Sequence, residues 1–344
     1  MKGVFVGKNN VREIRDFEVP KPAAGEILIK NVAVSSNPKD WKMVEVMDWE
    51  SIEGNDVAGY VEAVGEGVTK FKKGDKVAAF TKMFTAIQYG AYAEYTVSPA
   101  ITAFKLGPET SFEEAAALPL AYITAVIGLH LRLGLPEPGS TLPEDAKTIL
   151  VYGAATTVGV YVSQLAKKAG HRVIGVAGSS IELAKSYGAD EVIDYRGKSP
   201  EDLAEEIVKV GGGDIHYVYD AVAEHGSFEA STIALSKSKN GGGRYTHVLP
   251  ISDSQKESLP KGVTNHPEMC NVAYGDDKSE TEHCEKYFDL LGEWIEKGEF
   301  KSQRVELIPN GLEGVKEGLR MLKEGEVKGQ KLVYKIADTP GLKA

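Results

Sequence analysis

The chain has 344 residues, of which 42% are hydrophobic and 26% are charged, and this composition is typical of a globular protein with two domains. A net charge of -10 without any stretch dense in Lys and Arg excludes nucleic acid and anionic membranes as partners. No segment approaches the roughly 18 apolar residues of a membrane span, and the N-terminal apolar run is too short for a signal peptide, so we expect a cytoplasmic protein. Its two cysteines, Cys270 and Cys284, are expected to be free thiols.

The first 120 residues predict a β-rich domain, because short apolar runs alternate with Gly and Pro. Strands are expected at 3–6, 26–34, 58–64, 76–80 and 91–97. A helix over 112–117 and a long apolar helix over 120–133 follow them. At the end of the chain, helices over 281–297 and 314–323 and a strand over 331–335 are expected to return to this first domain.

Between these two segments, strands and helices alternate, and this pattern predicts a parallel sheet covered on both faces. The expected strands are 148–152, 172–177, 191–194, 215–220, 243–249 and 271–274. Six strands are the number in a Rossmann sheet. We therefore predict one domain at 1–120, a second at 121–275 and a return to the first at 276–344.

The turn after the first of these strands reads Gly153-Ala-Ala-Thr-Thr-Val-Gly159 and leads into an amphipathic helix. A dinucleotide pyrophosphate requires close approach of the backbone, which Gly153 allows by a tight turn and Gly159 by close packing of helix on strand. Thr156 replaces the second glycine of the usual pattern, and its hydroxyl is a candidate donor to phosphate. The predicted cofactor contacts here are Gly153, Ala155, Thr156, Thr157, Val158 and Gly159. The alternative is an ordinary strand-to-helix turn.

The residues after the second strand indicate which dinucleotide is bound. An acid that would bind the ribose 2′-hydroxyl of NAD(H) is missing there. Hydroxyl and cationic side chains, which suit a 2′-phosphate, follow instead, and we therefore expect NADP(H) with Ser179, Ser180, Lys185 and Tyr195 as contacts, Arg196 standing beside Tyr195. Alternatively, the two serines are helix N-cap residues and Lys185 is a solvated surface charge.

Ligands of doubly wound sheets bind outside the carboxyl ends of the strands. On this ground we expect Val222 and Ala223, after the fourth strand, to line the nicotinamide. The same expectation covers Val272 and Tyr274 at the end of the predicted sixth strand.

Four motifs carry a resemblance that extends over nearly the whole chain. They are Asn37-Pro38-Lys-Asp40-Trp41-Lys42, the glycine-rich run 54–77, Gly90-Ala-Tyr-Ala-Glu94 with Ala115-Ala-Ala-Leu-Pro119, and the closing run 322–333. Together they resemble the medium-chain dehydrogenase/reductase superfamily. The resemblance implies an α/β protein with a GroES-like β-rich catalytic domain and a Rossmann cofactor domain, a doubly wound parallel sheet.

The departures from this superfamily concern its zinc sites. Zinc alcohol dehydrogenases carry Cys where this chain has Ser36 or Asn37, and Gly-His-Glu where it has Gly54-Asn55-Asp56. They also carry a four-cysteine lobe near 85–110, where this chain has no cysteine. Since Zn²⁺ requires about three such ligands, no metal is expected. Three features look most like the fungal branch that includes trans-acting enoyl reductases of polyketide synthesis: the Asn37 motif, the Thr156-Thr157 turn, and Ser179 together with Tyr195-Arg196.

The resemblance implies hydride transfer without fixing the substrate. With NADPH as the expected cofactor, we predict metal-independent reduction of an activated double bond or carbonyl group in a small molecule, namely an enone, enoyl thioester, quinone or aldehyde. It places Lys42, Asn37 and Thr124 near the nicotinamide, and we expect these three to be catalytic. Tyr92 and Tyr122 are further candidates for proton donation. Lys42 could instead be a solvated lysine with its stem on Trp41.

Two alternatives remain for the whole chain. It could be a non-catalytic NADPH-binding protein, or a trans-acting partner of a polyketide synthase. A monomer or a homodimer is expected, and in a dimer the seam would lie near residues 271–274.

Overall fold

A computed structural model of the chain describes residues 1–7, 11–47, 49–140 and 148–342. It divides into two compact units, one made of Met1–Leu120 with Asn271–Ala344 and the other of Ala121–Cys270. No helix in the described ranges is both long and apolar enough to cross a membrane.

Short strands dominate the N-terminal part of the chain. They are β1 (Lys2–Gly7), β2 (Val11–Asp16), β3 (Glu26–Ser35), β4 (Ser51–Ile52), β5 (Asp56–Val64), β6 (Lys76–Phe80), β7 (Tyr95–Pro99) and β8 (Ala103–Lys105). The helices are α1 (Lys39–Val46), α2 (Phe112–Ala116) and α3 (Pro119–Val126), the last of which continues as a π-helical segment over Ile127–Arg132.

Strands and helices alternate in the middle of the chain. In order they are β9 (Thr148–Tyr152), α4 (Thr157–Lys168), β10 (Arg172–Ala177), α5 (Ile181–Ser186), β11 (Glu191–Asp194), α6 (Pro200–Val210), β12 (Ile215–Asp220), α7 (Ser227–Ser236), β13 (Gly243–His247), α8 (Asp253–Glu257) and β14 (Val263–Asn265). The C-terminal elements are α9 (Lys278–Glu296), β15 (Val305–Leu307), α10 (Val315–Lys323) and β16 (Lys331–Lys335).

The first unit contains a seven-stranded sheet of order β15-β16-β3-β5-β6-β8, with β7 also paired to β3, and a three-stranded sheet of order β2-β1-β4. Most of its strand pairs are antiparallel. Alternating apolar residues of these strands fill one core, which includes Val6, Ile29, Val57, Val77 and Leu332. This unit is the predicted β-rich, GroES-like domain.

The second unit is a six-stranded parallel sheet of order β11-β10-β9-β12-β13-β14. Numbered from β9, this is the 3-2-1-4-5-6 order of a Rossmann fold. All five residues of β9 are buried, as expected for a central strand covered on both faces. The predicted doubly wound fold is therefore confirmed.

The prediction of the sixth strand at 271–274 is wrong. Those residues belong to the 3₁₀ turn Cys270–Tyr274, and the sixth strand is β14, in which Val263 pairs with Gly243. The apolar run Val-Ala-Tyr favours a strand by propensity, but pairing with β13 decides the matter. The N-terminal strand expected at 91–97 is also displaced, to Tyr95–Pro99, and Ala93 makes an isolated bridge to Gly3.

Candidate cofactor and active site

The glycine-containing turn joins β9 to α4 and has the geometry of a phosphate cradle. Gly153 has φ +75°, and its N–H and that of Ala154 donate to the carbonyl oxygen of Val176 at 2.9 and 3.0 Å. A Cβ atom at Gly159 would lie 2.1 Å from the carbonyl oxygen of Gly153. Only glycine at position 159 therefore lets the helix approach the turn so closely.

Thr156 is the N-cap residue of α4, and its Oγ1 accepts a hydrogen bond from the N–H of Gly159 at 3.0 Å. Accepting this bond leaves the hydroxyl proton of Thr156 able to donate. N–H groups in the first turn of a helix lack intrahelical acceptors, and the helix dipole favours an anion there. The turn therefore fits a dinucleotide diphosphate, with Ala155, Thr157 and Val158 in the segment that would face it.

Val222 lies beside this turn. A Cβ atom at Gly153 would be 2.5 Å from Cγ2 of Val222. The fold thus brings together two predicted contacts that are 69 positions apart in the numbering of the chain.

The loop that carries Val222 is organised by Asp220, which is not among the residues predicted from the sequence. Oδ1 of Asp220 accepts from the N–H groups of Val222 and Ala223 at 3.0 and 2.7 Å. Oδ2 accepts from Ser227 Oγ at 2.5 Å and from the Tyr245 hydroxyl at 2.9 Å. Burial raises the pKa of Asp220, although these hydrogen bonds oppose the rise. An acidic residue that closes an apolar strand was the signal available in the sequence.

Ala223 has φ +54°, which lies in the left-handed region that residues other than glycine rarely adopt. This backbone conformation indicates that the hydrogen bonds of the loop hold it in one conformation. Strain of this kind persists only where surrounding contacts determine the backbone. The loop at the carboxyl end of β12 is therefore rigid.

The predicted ribose contacts cluster at the carboxyl end of β10. A Cβ atom at Gly178 would lie 3.1 Å from the Tyr195 hydroxyl, and the Tyr195 ring stacks on Tyr152 with centroids 6.4 Å apart. Tyr195 is 45% exposed, and Ser179 follows Gly178 directly. Ser180 occupies the N-cap position of α5, but its side chain makes no capping hydrogen bond.

The two cations predicted here have acidic neighbours. Lys185 Nζ lies 3.2 Å from Glu182 Oε1 on the exposed side of α5. Arg196 Nη2 donates to Asp194 Oδ2 at 2.6 Å, and hydrogen bonds from Arg196 lower the pKa of Asp194 to about 2. A contact of Lys185 with a 2′-phosphate therefore requires its side chain to leave Glu182.

Thr124 lies in α3 and is buried. The hydroxyl of Tyr219, on β12, donates to the main-chain oxygen of Thr124 at 2.8 Å. This bond ties the helix to the central part of the parallel sheet. It fixes the backbone at Thr124.

Asn37 stands just before α1, with its side-chain amide in a buried network. Nδ2 donates to Asp56 Oδ2 at 2.7 Å, and Oδ1 accepts from Lys331 Nζ at 2.5 Å. The main-chain N–H of Asn37 donates to Asp40 Oδ2 at 2.8 Å. Three hydrogen bonds therefore hold Asn37 in place.

Lys42 lies on α1, with Nζ 5.6 Å from the ring centroid of Trp41. The ammonium group of Lys42 is therefore close to Trp41, and the side chain is half-buried. A catalytic role for Lys42 stays a prediction. Tyr92 is fully buried, and its hydroxyl donates to Asp40 Oδ2 at 2.5 Å.

Val272 and Tyr274 do not follow a strand, so the reason for assigning them to the nicotinamide no longer holds. The Tyr274 hydroxyl accepts from the N–H of Met83 at 2.9 Å, and its ring packs on Phe80 with centroids 5.5 Å apart. These contacts place Tyr274 in the packing of the first unit. The same correction removes the strand on which the predicted dimer seam at 271–274 depended.

Comparisons with known proteins agree with this geometry. Residues 23–108 match the alcohol dehydrogenase GroES-like domain, and residues 157–244 match the family described as zinc-binding dehydrogenase. A trans-enoyl reductase of Gibberella fujikuroi is 34% identical over 91% of this chain and 92% of its own length. A trans-enoyl reductase of Alternaria alternata is 35% identical over 94% of this chain and 96% of its own length. The chain belongs to the zinc-free enoyl reductase branch of the medium-chain dehydrogenase/reductase superfamily.

A mycobacterial protein solved in complex with NADPH has the same fold, with a TM-score of 0.76 and 24% identity over 97% of this chain and 99% of that one. Members of the medium-chain dehydrogenase/reductase superfamily are oxidoreductases that bind nicotinamide cofactors. The turn from Gly153 to Gly159 has the close backbone packing and the capped helix start that such a cofactor requires.

In this member of the superfamily, the positions that correspond to zinc ligands make hydrogen bonds instead. Ser36 Oγ lies 2.9 Å from the Tyr92 hydroxyl and 2.6 Å from that of Tyr334. Asn55 Nδ2 donates to Thr81 Oγ1 at 2.9 Å. Across the part of the chain that the structure describes, no group of three or more His, Cys, Asp or Glu side chains could hold a metal ion. The residues present do not fit zinc.

Proposed function

We propose that this chain is an NADPH-dependent, metal-independent enoyl reductase, which transfers hydride to a carbon–carbon double bond conjugated to a carbonyl group. The observation that carries the reaction is kinship, over more than nine-tenths of the chain, with proteins named trans-enoyl reductases. The choice of NADPH is supported by Ser179, which follows β10 where an acid would select NAD(H), and by the Tyr195 hydroxyl, which lies near Gly178.

In this proposal, each part of the site has a physical task. The turn at Gly153 and the N-terminus of α4 bind the diphosphate. Asp220 holds the loop at Val222 in a conformation that borders the nicotinamide. NADPH, when bound, supplies the hydride.

Hydride addition to the β-carbon of an enone places negative charge on the carbonyl oxygen, so donors must point at that oxygen. Lys42 and the hydroxyl of Thr124 are the proposed donors. Asn37 is proposed to act indirectly, since its amide is already engaged by Asp56 and Lys331.

A substrate panel tests the reaction. The protein is mixed with NADPH or NADH and with enones, quinones, aldehydes and enoyl thioesters carried either on pantetheine or on an acyl carrier protein. Oxidation of NADPH by an enone or enoyl thioester supports the proposal. Turnover of aldehydes or quinones alone would assign another reductase activity, and NADPH binding without turnover would favour the non-catalytic alternative. Activity restricted to carrier-bound thioesters would identify a trans-acting partner.

Cofactor preference gives a specific expected result. Ser179→Ala should weaken NADPH binding about tenfold, because a hydrogen bond to a charged phosphate is lost, and should leave NADH binding nearly unchanged. Lys185→Ala should act in the same direction. The measurement is the Kd of each cofactor by fluorescence titration. Lys167→Ala is the control. Lys167 lies on α4, its Nζ is 2.8 Å from Asp190 Oδ1, and it has no proposed role. Equal affinity of the wild type for NADH and NADPH would refute the assignment.

The two proposed donors can be tested together. Lys42→Met and Thr124→Val should each lower kcat about 10²-fold, because a donor to the developing oxyanion is removed, while the Kd for NADPH stays within about twofold. Lys323→Met is a matched control, because Lys323 Nζ also lies over the Trp41 ring, at 5.8 Å, and has no proposed catalytic role. Near-wild-type turnover in both variants would leave the proposed donors without support.

A further inference from the structure

A buried ion pair lies among the positions that hold zinc in other members of the superfamily. Lys331 Nζ is 3.1 Å from Asp56 Oδ2, and the two side chains are 3% and 0% exposed. Lys331 begins β16, and Asp56 begins β5, so the two come from opposite ends of the chain. Charges this deeply buried are costly unless each finds a partner.

The carboxylate of Asp56 collects hydrogen bonds from several elements of the first unit. Oδ2 accepts from Asn37 Nδ2 at 2.7 Å and from Ser35 Oγ at 3.1 Å, in addition to Lys331. Oδ1 accepts from the main-chain N–H of Leu120 at 2.6 Å. One side chain therefore connects the end of β3, the start of β16 and the first turn of α3.

Lys331 completes this arrangement from the other side. Its ammonium donates both to Asp56 Oδ2 and to Asn37 Oδ1, so that Asn37 bridges the two charged groups. A metal ion at such a place would draw its ligands together by charge. Here the ammonium group of Lys331 bonds instead to Asn37 and Asp56, which stand at positions that correspond to zinc ligands.

We propose that Lys331 and Asp56 are positioning residues whose buried ion pair holds together the segments that carry zinc ligands in the zinc alcohol dehydrogenases of the superfamily. They fix Asn37, which leads into the helix bearing Lys42, and Leu120, which lies four residues before Thr124 in α3. The catalytic part of this inference rests on the proposed function, whereas the anchoring of Leu120 and Asn37 does not.

The buried ion pair predicts that loss of Lys331 affects turnover more than it affects cofactor binding. Without Lys331, the buried Asp56 carboxylate loses its charge partner, and either the carboxylate or the groups bonded to it must move. Either change disturbs its bonds to Asn37 and Leu120. Since misplacement of a catalytic group by about 1 Å can reduce turnover 10²-fold, kcat should respond more strongly than cofactor affinity.

The test compares Lys331→Met, Lys331→Arg, Asp56→Asn and the double variant Lys331→Met/Asp56→Asn. We expect Lys331→Met to lower kcat at least about tenfold, with the Kd for NADPH within about threefold, and Lys331→Arg to recover part of the loss. The double variant, which removes both charges, should regain the unfolding temperature of the wild type but not its kcat, because an amide cannot accept all the donors of Asp56.

Lys335→Met is the matched control. Lys335 lies on the same strand as Lys331, and its ion pair with Glu113, at 3.2 Å, is partly exposed. This variant should keep wild-type kcat and unfolding temperature. If the double variant keeps wild-type kcat, or if Lys335→Met loses as much activity as Lys331→Met, the proposed positioning role is wrong.

Hydrogen exchange separates this inference from the enoyl reductase activity. The amide of Leu120 should exchange at least about tenfold faster in the folded double variant than in the wild type, whatever the substrate is. Unchanged exchange at Leu120 would overturn the anchoring even if the protein proves to be an enoyl reductase. Faster exchange together with an inactive wild type would sustain the anchoring and refute the proposed function alone.

Discussion

Replacing Gly159 with alanine is expected to weaken NADPH binding about 10²-fold. The added Cβ would lie 2.1 Å from the carbonyl oxygen of Gly153 and 2.9 Å from the Cα of Ala154. Both are backbone atoms of the phosphate turn, so the turn or the helix must shift as a whole. The shift would also disturb the hydrogen bond from the Gly159 N–H to Thr156.

The measurement is the Kd for NADPH by fluorescence titration, with urea unfolding to confirm that the variant is folded at the temperature used. Gly107→Ala is the control, since its added Cβ would approach the Glu296 side chain no closer than 3.4 Å, an ordinary contact. Wild-type affinity in Gly159→Ala would mean that the diphosphate does not bind at this turn, and the proposed cofactor site would have to be abandoned.

Glu268→Gln is expected to remove a large pH dependence of stability. Glu268 is 7% exposed, and burial raises the pKa of its carboxyl group to about 8, with Arg132 opposing the rise. The Tyr219 hydroxyl interacts electrostatically with both Glu268 and Cys270. Among the described residues, Oε1 of Glu268 has no hydrogen-bond partner that would stabilise the charged form. The native state therefore favours the protonated acid.

The direction follows from the proton balance. The native state holds the Glu268 proton more tightly than the unfolded chain, in which the pKa is near 4.5. The stabilisation is therefore complete below pH 4.5 and is lost as the pH rises through about 8. Since one pKa unit corresponds to about 1.4 kcal/mol, the full loss is on the order of 5 kcal/mol.

Urea unfolding at pH values from 5 to 9 would measure this effect. The free energy of unfolding of the wild type should fall relative to that of Glu268→Gln across this range, because glutamine cannot ionise. Glu257→Gln, at an exposed position of the same unit, should run parallel to the wild type. Parallel curves for Glu268→Gln and the wild type would show that Glu268 is already ionised in the native protein at neutral pH.

The sequence by itself determined the elements whose signals are local. The strands predicted at 172–177, 191–194 and 215–220 agree with β10, β11 and β12 to the residue, because compact apolar runs there end at Gly, Asp or helix-capping residues. The turn at Gly153 and the helix after it were equally readable. A glycine that must adopt a positive φ, followed by a capping threonine, requires no distant partner to be recognised.

Tertiary structure alone decided the features that depend on partners far apart in the chain. β14 is a three-residue strand that exists through pairing with β13. The residues near 272 have a higher strand propensity, so the sequence predicts the sixth strand there instead. The meeting of Asp56 with Lys331 joins positions separated by 275 residues, and no local pattern in either segment reports it. The ammonium group and the carboxylate pair with each other because both are buried, and neither charge is stable in the interior without the other.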